Sequence, residues 1–336
     1  PYRGRCRGVD GTAGRKRDHR HRAGDGAGQL YCDRPGLWGD HALVRQHLRG
    51  SHGAVGAPAM KRAVVICPGR GTYNKAELSY LARHFPDPAM LADFDAQRAA
   101  AGQETVSALD GDERYSIAKH TRGDNASALI FAASLGDFLS IDRSQVEIVA
   151  VTGNSMGWYT ALACAGAVSA HNGFRIANAM GSLMQANLVG GQLVYPIVGE
   201  EWVHDPDRER ELLATVGRID AAHDAALHVS IRLGGMLVLA GNEAGLAAFE
   251  QAVPPRDGRF PMRLANHAAF HSPLVDHVSL LGRQALPAAL FGNPQIPMID
   301  GRGSIWWPHA CHIDALHDYT LRTQVVETYD FTRAVA

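Results

Sequence analysis

Three observations predict an α/β fold, a parallel sheet wrapped by helices with a smaller α+β unit inserted. From Met60 onward, apolar strand-like runs alternate with helix-like runs, the pattern of a sheet covered on its faces. A serine between two glycines, Gly153-Asn154-Ser155-Met156-Gly157, stands where one such strand turns into a helix. From about residue 188 to residue 265 the alternation gives way to short strands crowded around a helix.

The 336 residues, 46% of them hydrophobic, suffice for a sizeable core in one large or two modest domains. Residues 1–59 stand apart: rich in Gly, Arg and His, without apolar periodicity, and opening on Pro1. They read as disordered, or as an extension from a misassigned start, rather than as a nucleic-acid-binding arm. Ten Arg, one Lys and five Asp give this stretch a charge of +6 within a total of −1, leaving −7 for the remainder. A balance so near zero gives no bias toward nucleic acid or anionic membranes. No apolar run reaches the length of a membrane span, and the basic start lacks the apolar core of a signal peptide, so a cytoplasmic protein is expected. The cysteines, Cys6, Cys32, Cys67, Cys164 and Cys311, lack Cys-x-x-Cys spacing and read as reduced thiols.

Folding is expected to begin at Met60, with Ala63-Val64-Val65-Ile66-Cys67 as first strand. Residues 76–84 read as a helix, and 125–141 as a long buried one with few charges. Val146-Glu147-Ile148-Val149-Ala150-Val151, rich in β-branched residues, is a buried strand. The apolar stretch after Gly157 is a buried helix, and 172–187 another. His228-Val229-Ser230-Ile231-Arg232 and Met236-Leu237-Val238-Leu239-Ala240 read as strands joined through Gly234-Gly235, followed by a helix over 242–252 and a strand at 261–264. The large domain therefore comprises 60–187 and 266–336, and the inserted unit 188–265.

The glycines on either side of Ser155 permit a sharp strand-to-helix turn that leaves its hydroxyl clear of the sheet. The Met156 N–H, at the helix start, is then placed to stabilise an oxyanion. A serine hydroxyl is a poor nucleophile at neutral pH and needs a base. Among 17 histidines, His271 in Asn266-His267-Ala268-Ala269-Phe270-His271-Ser272-Pro273-Leu274 falls where the chain returns to the large sheet, and is the candidate. His309-Ala310-Cys311-His312 has the donor atoms of a metal site but reads as incidental, so no metal is expected.

Four ordered segments together resemble the malonyl-CoA:acyl carrier protein transacylases and the acyltransferase domains of polyketide and fatty acid synthases. Cys67-Pro68-Gly69-Arg70-Gly71-Thr72 matches the family's opening Pro-Gly-Gln-Gly-Ser loop with Arg70 in place of Gln. The Ser155 elbow with Tyr159, Ala161, Leu162 and Cys164-Ala165-Gly166 resembles Gly-His-Ser-Leu-Gly-Glu-Tyr. Phe270-His271-Ser272-Pro273-Leu274 matches the histidine motif, and Leu321-Arg322-Thr323-Gln324 with Phe331 and Val335 the Leu-x-x-Gln segment. The resemblance spans 60–336. It implies a hydrolase-like α/β domain with an inserted ferredoxin-like subdomain, and the transfer of an acyl group from CoA to the phosphopantetheine thiol of an acyl carrier protein. It further implies Ser155 as nucleophile, His271 as base, the backbone N–H groups of Arg70 and Met156 as oxyanion hole, and a carbonyl near Gln324 orienting the imidazole. No cofactor is implied beyond acyl-CoA and the carrier protein as substrates.

The departures from the family bear on specificity. Met180 stands 25 residues after Ser155, where dicarboxylate-specific members carry an arginine that forks onto the malonyl carboxylate. Two readings follow: a site turned to uncharged acyl groups such as acetyl, or another cation in compensation. Arg70 and Arg232 are the candidates, the latter where the family has an active-site asparagine. Asn154 and Trp158 replace the family's His and Glu beside the elbow and imply a rebuilt pocket, and Asn125 is expected to line it. The family continues into a further strand and helix, so the chain reads as C-terminally incomplete. A serine hydrolase or thioesterase of the same chemistry is the alternative function, and a non-catalytic binding module a third.

Overall fold

The computed structural model describes residues 60–199, 201–222, 224 and 226–336, together with short strand segments at Arg7–Gly8, Leu30–Tyr31 and Leu43–Gln46. The expected disorder of 1–59 otherwise falls outside the described residues.

Two five-stranded sheets organise the chain. In the first, the order runs Ile305–Trp306, Met298–Ile299, Val146–Gly153, Lys61–Cys67, Leu43–Gln46. The three central strands are parallel, whereas both edge strands run antiparallel, so the sheet is mixed where a parallel one was expected. Alternation of strand and helix fixes only the central parallel pairs. The edges come from short segments whose pairing is not written in local periodicity.

Helices cover this sheet. Gly123–Leu139 is buried almost all round, and it lies against Ala170–Ala186. Gly123 and Gly181 sit at their closest approach: a Cβ on Gly123 would come within 2.8 Å of the Gly181 carbonyl oxygen, and one on Gly181 within 2.5 Å of the Gly123 oxygen. Only glycine fits at either position. Phe94, Phe131 and Phe174 fill the space beside these helices, with Phe94 and Phe174 stacked at 4.3 Å. Burying each ring contributes on the order of 2–3 kcal/mol.

Several helices escaped the sequence reading, the longest of them Pro88–Ala100 and Pro206–Asp220. Both begin with an Asp-Pro pair, in which the Asp87 or Asp205 carboxylate accepts two backbone N–H groups and the proline occupies the first turn. That start signal was present in the sequence. The helix expected over 76–84 is broken: a 3₁₀ turn, Lys75–Glu77, is followed by Tyr80–His84, with Ser79 at a φ of +61° between them.

The second sheet runs Tyr329–Asp330, Leu227–Arg232, Met236–Gly241, Gly191–Pro196, Met262–Arg263. The strand Gly191–Pro196 was also missed, and with the helices Pro206–Asp220 and Glu243–Ala252 it completes a β-α-β-β-α-β order. These elements enclose a separate core around Tyr195, Phe249 and Phe260. The last strand departs from the expected domain boundary. Residues 266–336 were assigned to the large domain, but Tyr329–Asp330 pairs in parallel with Leu227–Arg232, and Tyr329 is buried in the smaller core.

Candidate active site

Ser155 stands at the end of the strand Val146–Gly153, immediately before the helix Gly157–Cys164. Its φ of +57° places a non-glycine residue in the left-handed region, a strain the surroundings must hold in place. The flanking glycines make the turn possible. A Cβ on Gly153 would lie 2.2 Å from the Gly157 carbonyl, and one on Gly157 would lie 2.2 Å from the Cys67 carbonyl oxygen. The elbow is tied down from several sides. The Asn154 N–H donates to the Cys67 carbonyl at 3.0 Å, Thr152 Oγ1 donates to the Ile299 carbonyl at 2.7 Å, and the Tyr329 hydroxyl donates to the Gly153 carbonyl.

His271 lies in the loop that returns from the smaller sheet. Its φ is +55°, and its own N–H donates to the Val325 carbonyl at 2.8 Å. The imidazole Nδ1 meets the Gln324 backbone carbonyl, and Nε2 lies 2.7 Å from Ser155 Oγ. A carbonyl oxygen can only accept, so the proton sits on Nδ1 and the Nε2 lone pair faces the serine hydroxyl. Burial lowers the His271 pKa to about 4, partly offset by the Gln324 carbonyl, and keeps the ring neutral at physiological pH. The Gln324 side chain serves the same corner, its Nε2 donating to the Tyr159 hydroxyl at 3.0 Å and to the Thr320 carbonyl at 3.1 Å.

Ser155 and His271 open onto a half-open pocket. Met156, Arg70, Met180 and Gln324 also line it, so five widely separated segments of the sequence reading converge. Its remaining walls come from Phe270, Tyr159, Met184, Val325 and Ser127, beside the paired glycines Gly123 and Gly181. Phe270 and Tyr159 stood within the matched motifs, and their adjacency to His271 and Ser155 was the available signal. Met184 lies one helical turn from Met180, on the same face. Ser127 carries no comparable signal, because only helix packing turns it inward.

Two expected site residues lie elsewhere. Asn125 is held behind the cavity wall: its Oδ1 accepts from Arg98 Nη2 at 2.7 Å, and its Nδ2 donates to the Lys119 carbonyl at 3.0 Å. Arg232 is bound to Glu209 on the helix Pro206–Asp220 and does not reach the cavity. Nor do the two substitutions beside the elbow rebuild the pocket, since neither Asn154 nor Trp158 lines it. Trp158 is fully buried, its Nε1 donating to Thr320 Oγ1 at 2.9 Å and its ring edge-on to Tyr319 at 5.2 Å. It locks the elbow helix to the C-terminal segment.

Arg70 does reach the cavity. Nη2 donates to the Thr121 carbonyl at 2.5 Å, and the guanidinium lies 5.6 Å from the centre of the Phe270 ring. Burial lowers its pKa to about 10, against the opposing pull of Asp124, so it remains a cation at neutral pH. His267 lies near it with its pKa well below the usual value, through burial first and then the Arg70 charge. Its Nδ1 contacts Gln192 Oε1 at 2.7 Å. Among the described residues, no group of three or more His, Cys, Asp or Glu is arranged to hold a metal ion, and no helix is long and apolar enough to cross a membrane.

A strained serine at a strand-to-helix turn and an imidazole on its hydroxyl, both at the wall of one pocket, form an arrangement suited to nucleophilic attack on a carbonyl. The chain's fold is that of the malonyl-CoA:acyl carrier protein transacylases and of polyketide synthase acyltransferase domains. The Synechocystis sp. PCC 6803 malonyl-CoA:ACP transacylase superposes with a TM-score of 0.62 at 18% identity, covering 82% of this chain and 84% of that one. The transacylase of Xanthomonas oryzae gives 0.63 at 23% identity, with 80% and 81% covered. The acyltransferase domain from the second module of the salinomycin polyketide synthase gives 0.60 at 22%, with 80% and 58% covered. No family profile matches the chain. Among curated proteins, mycoketide-CoA synthase of Mycobacterium tuberculosis is 32% identical over 176 residues, 52% of this chain and 4% of that protein. A phenolphthiocerol synthesis polyketide synthase of Mycobacterium marinum is 26% identical over 238 residues, 68% of this chain and 10% of that protein. The chain thus spans between 3% and 10% of the length of the curated relatives it matches.

Proposed function

We propose that this chain is a divergent member of the malonyl-CoA:acyl carrier protein transacylase family, an acyltransferase that moves a malonyl or related short acyl group from CoA to the phosphopantetheine thiol of an acyl carrier protein. The observation that carries this reading is the hydrogen-bonded line from Ser155 Oγ through the His271 imidazole to the Gln324 carbonyl, opening on a largely apolar pocket. Ser155 attacks the thioester carbonyl while His271 Nε2 takes its proton. The Arg70 and Met156 N–H groups receive the oxyanion, and the proton passes to the departing CoA thiolate. In the second half the carrier-protein thiol gives its proton to His271 and attacks the acyl-serine, and the proton returns to Ser155 Oγ as the ester bond breaks. The two half-reactions share one site, which gives ping-pong kinetics. Neither half needs a metal or redox cofactor. The inserted unit is read as a ferredoxin-like subdomain, supported by its β-α-β-β-α-β order and its separate core. The place of action is read as the cytoplasm, in fatty acid or polyketide synthesis.

The test is intact-protein mass spectrometry after brief mixing with malonyl-CoA or acetyl-CoA, followed by addition of a phosphopantetheinylated acyl carrier protein. The reading expects an acyl adduct that Ser155→Ala lacks and that the carrier protein discharges onto its own thiol. An adduct discharged only to water would make the chain a thioesterase, and no adduct from either thioester would sink the reading.

A further inference from the structure

We propose that Arg70 is the carboxylate receptor of this site, binding the free carboxylate of a dicarboxylic acyl group such as malonyl while Ser155 holds its other end. The inference rests on the acyl-transfer reading above and names the substrate class that reading leaves open.

Arg70 lines the cavity together with Ser155, His271 and Met180. One end of its guanidinium is anchored on the Thr121 carbonyl, and the Phe270 ring flanks it. Its Nε is buried and has no hydrogen-bond partner among the described residues. No carboxylate among the described residues is hydrogen-bonded to the group: Asp124 acts on it only through its charge and is itself held by Arg122, at 3.1 Å from Nε and 3.0 Å from Nη2. A cation held in apolar surroundings with a donor unmet is costly, and an incoming carboxylate offsets that cost with a charge-assisted hydrogen bond. A methyl-terminated acyl group offers no such partner.

The competing cations are spoken for. Arg232 is held by Glu209 outside the cavity. Arg98 is buried nearby, but its nitrogens donate to the Glu104 and Asp124 carbonyls and to the Asn178 and Asn125 side-chain oxygens. Met180, Met184 and Val325 make other parts of the wall apolar. Arg70 is therefore the cation that makes a dicarboxylic acyl group a better fit than a neutral one.

The experiment measures acylation rates of Ser155 by malonyl-CoA and acetyl-CoA in the full chain and in Arg70→Met, Arg70→Gln and Arg70→Lys. The backbone N–H of residue 70 survives each change, so the malonyl-to-acetyl ratio isolates the side chain. The ratio is expected to fall about 10- to 100-fold in Arg70→Met, the worth of one charge-assisted hydrogen bond, with Arg70→Lys in between. An undiminished ratio overturns the proposal. Arg70→Gln, which keeps a donor toward Thr121 without the charge, supplies the comparison if Arg70→Met does not fold. If neither thioester acylates the natural chain, the acyl-transfer reading fails, and Arg70 is judged on malonate alone. Malonate should then slow fluorophosphonate labelling of Ser155 in the natural chain and not in the Arg70 variants. Protection that is absent, or that survives loss of the guanidinium, overturns the assignment.

Discussion

His271 Nδ1 donates its proton to the main-chain carbonyl of Gln324, in the position where a hydrolase triad places a carboxylate. A carbonyl dipole fixes the tautomer and the ring plane without adding a full negative charge. The orienting group is thus part of the backbone, and changing the side chain at position 324 does not remove it.

Gln324→Ala is therefore expected to slow Ser155 acylation less than tenfold, since only the contacts to Tyr159 and Thr320 are lost. His271→Ala, which removes the base, should cost roughly 10²- to 10⁴-fold. Single-turnover acylation followed by mass spectrometry gives both numbers. Equal losses in the two variants would mean that the side chain, and not the carbonyl, orients the imidazole.

Burial lowers the His271 pKa to about 4, so the ring stays neutral well below the usual histidine range. Acylation should hold level from pH 7 to about 5 and fall only as the pH approaches 4. Stability follows the same ionisation. In the unfolded chain the ring binds a proton below about pH 6.5, whereas the folded ring resists it. Between about 6.5 and 4 the unfolded state holds more protons. Stability from this group is fully present above pH 6.5 and is lost as the pH falls toward 4. A pH–rate profile breaking near 6.5 would contradict the burial argument.

Gly157→Ala drives a methyl group against the Cys67 carbonyl oxygen, 2.2 Å from the ideal Cβ position. Backbone cannot yield there without opening the elbow. A loss of about 3 kcal/mol, seen as a fall in Tm of roughly 6–12 °C, is expected by thermal melting. A Tm within about 2 °C of the natural chain would show that the elbow tolerates relaxation.

Ser155 is held at a φ of +57°, a conformation glycine adopts without penalty. Ser155→Gly should abolish acylation yet exceed Ser155→Ala in stability by about 1 kcal/mol, because alanine keeps the strain. Chemical denaturation of the two inactive variants makes the comparison. Equal stabilities would place the strain elsewhere.

Arg232→Ala should leave the malonyl-to-acetyl acylation ratio unaltered, because Arg232 is bound to Glu209 away from the cavity. Loss of this partly exposed pair should cost no more than about 1 kcal/mol. A collapse of the ratio in Arg232→Ala, measured beside the Arg70 variants, would mean that Arg232 swings into the site when substrate binds.

The sequence by itself determined the α/β class, the turn at Ser155 and the choice of His271. The first two are carried by short-range signals, strand and helix periodicities and two glycines with no room for a side chain, whereas His271 is singled out among 17 histidines by the resemblance of its motif to the acyltransferase family. Which arginine faces the acyl group was decided only by tertiary structure. Arg70 and Arg232 look alike along the chain, and their difference lies in a partner, Glu209, brought to one of them by the helix Pro206–Asp220. Asn125 likewise reads as a pocket residue until Arg98, 27 positions earlier, claims its oxygen. The last strand followed the same logic. Two residues, Tyr329–Asp330, carry no periodicity, and their place beside Leu227–Arg232 rests on the burial of Tyr329 between the smaller core and the elbow carbonyl. Local pattern decides what a segment becomes. Contacts between distant segments decide which charge is neutralised and which is left facing the cavity, because that depends on the partners folding brings within reach.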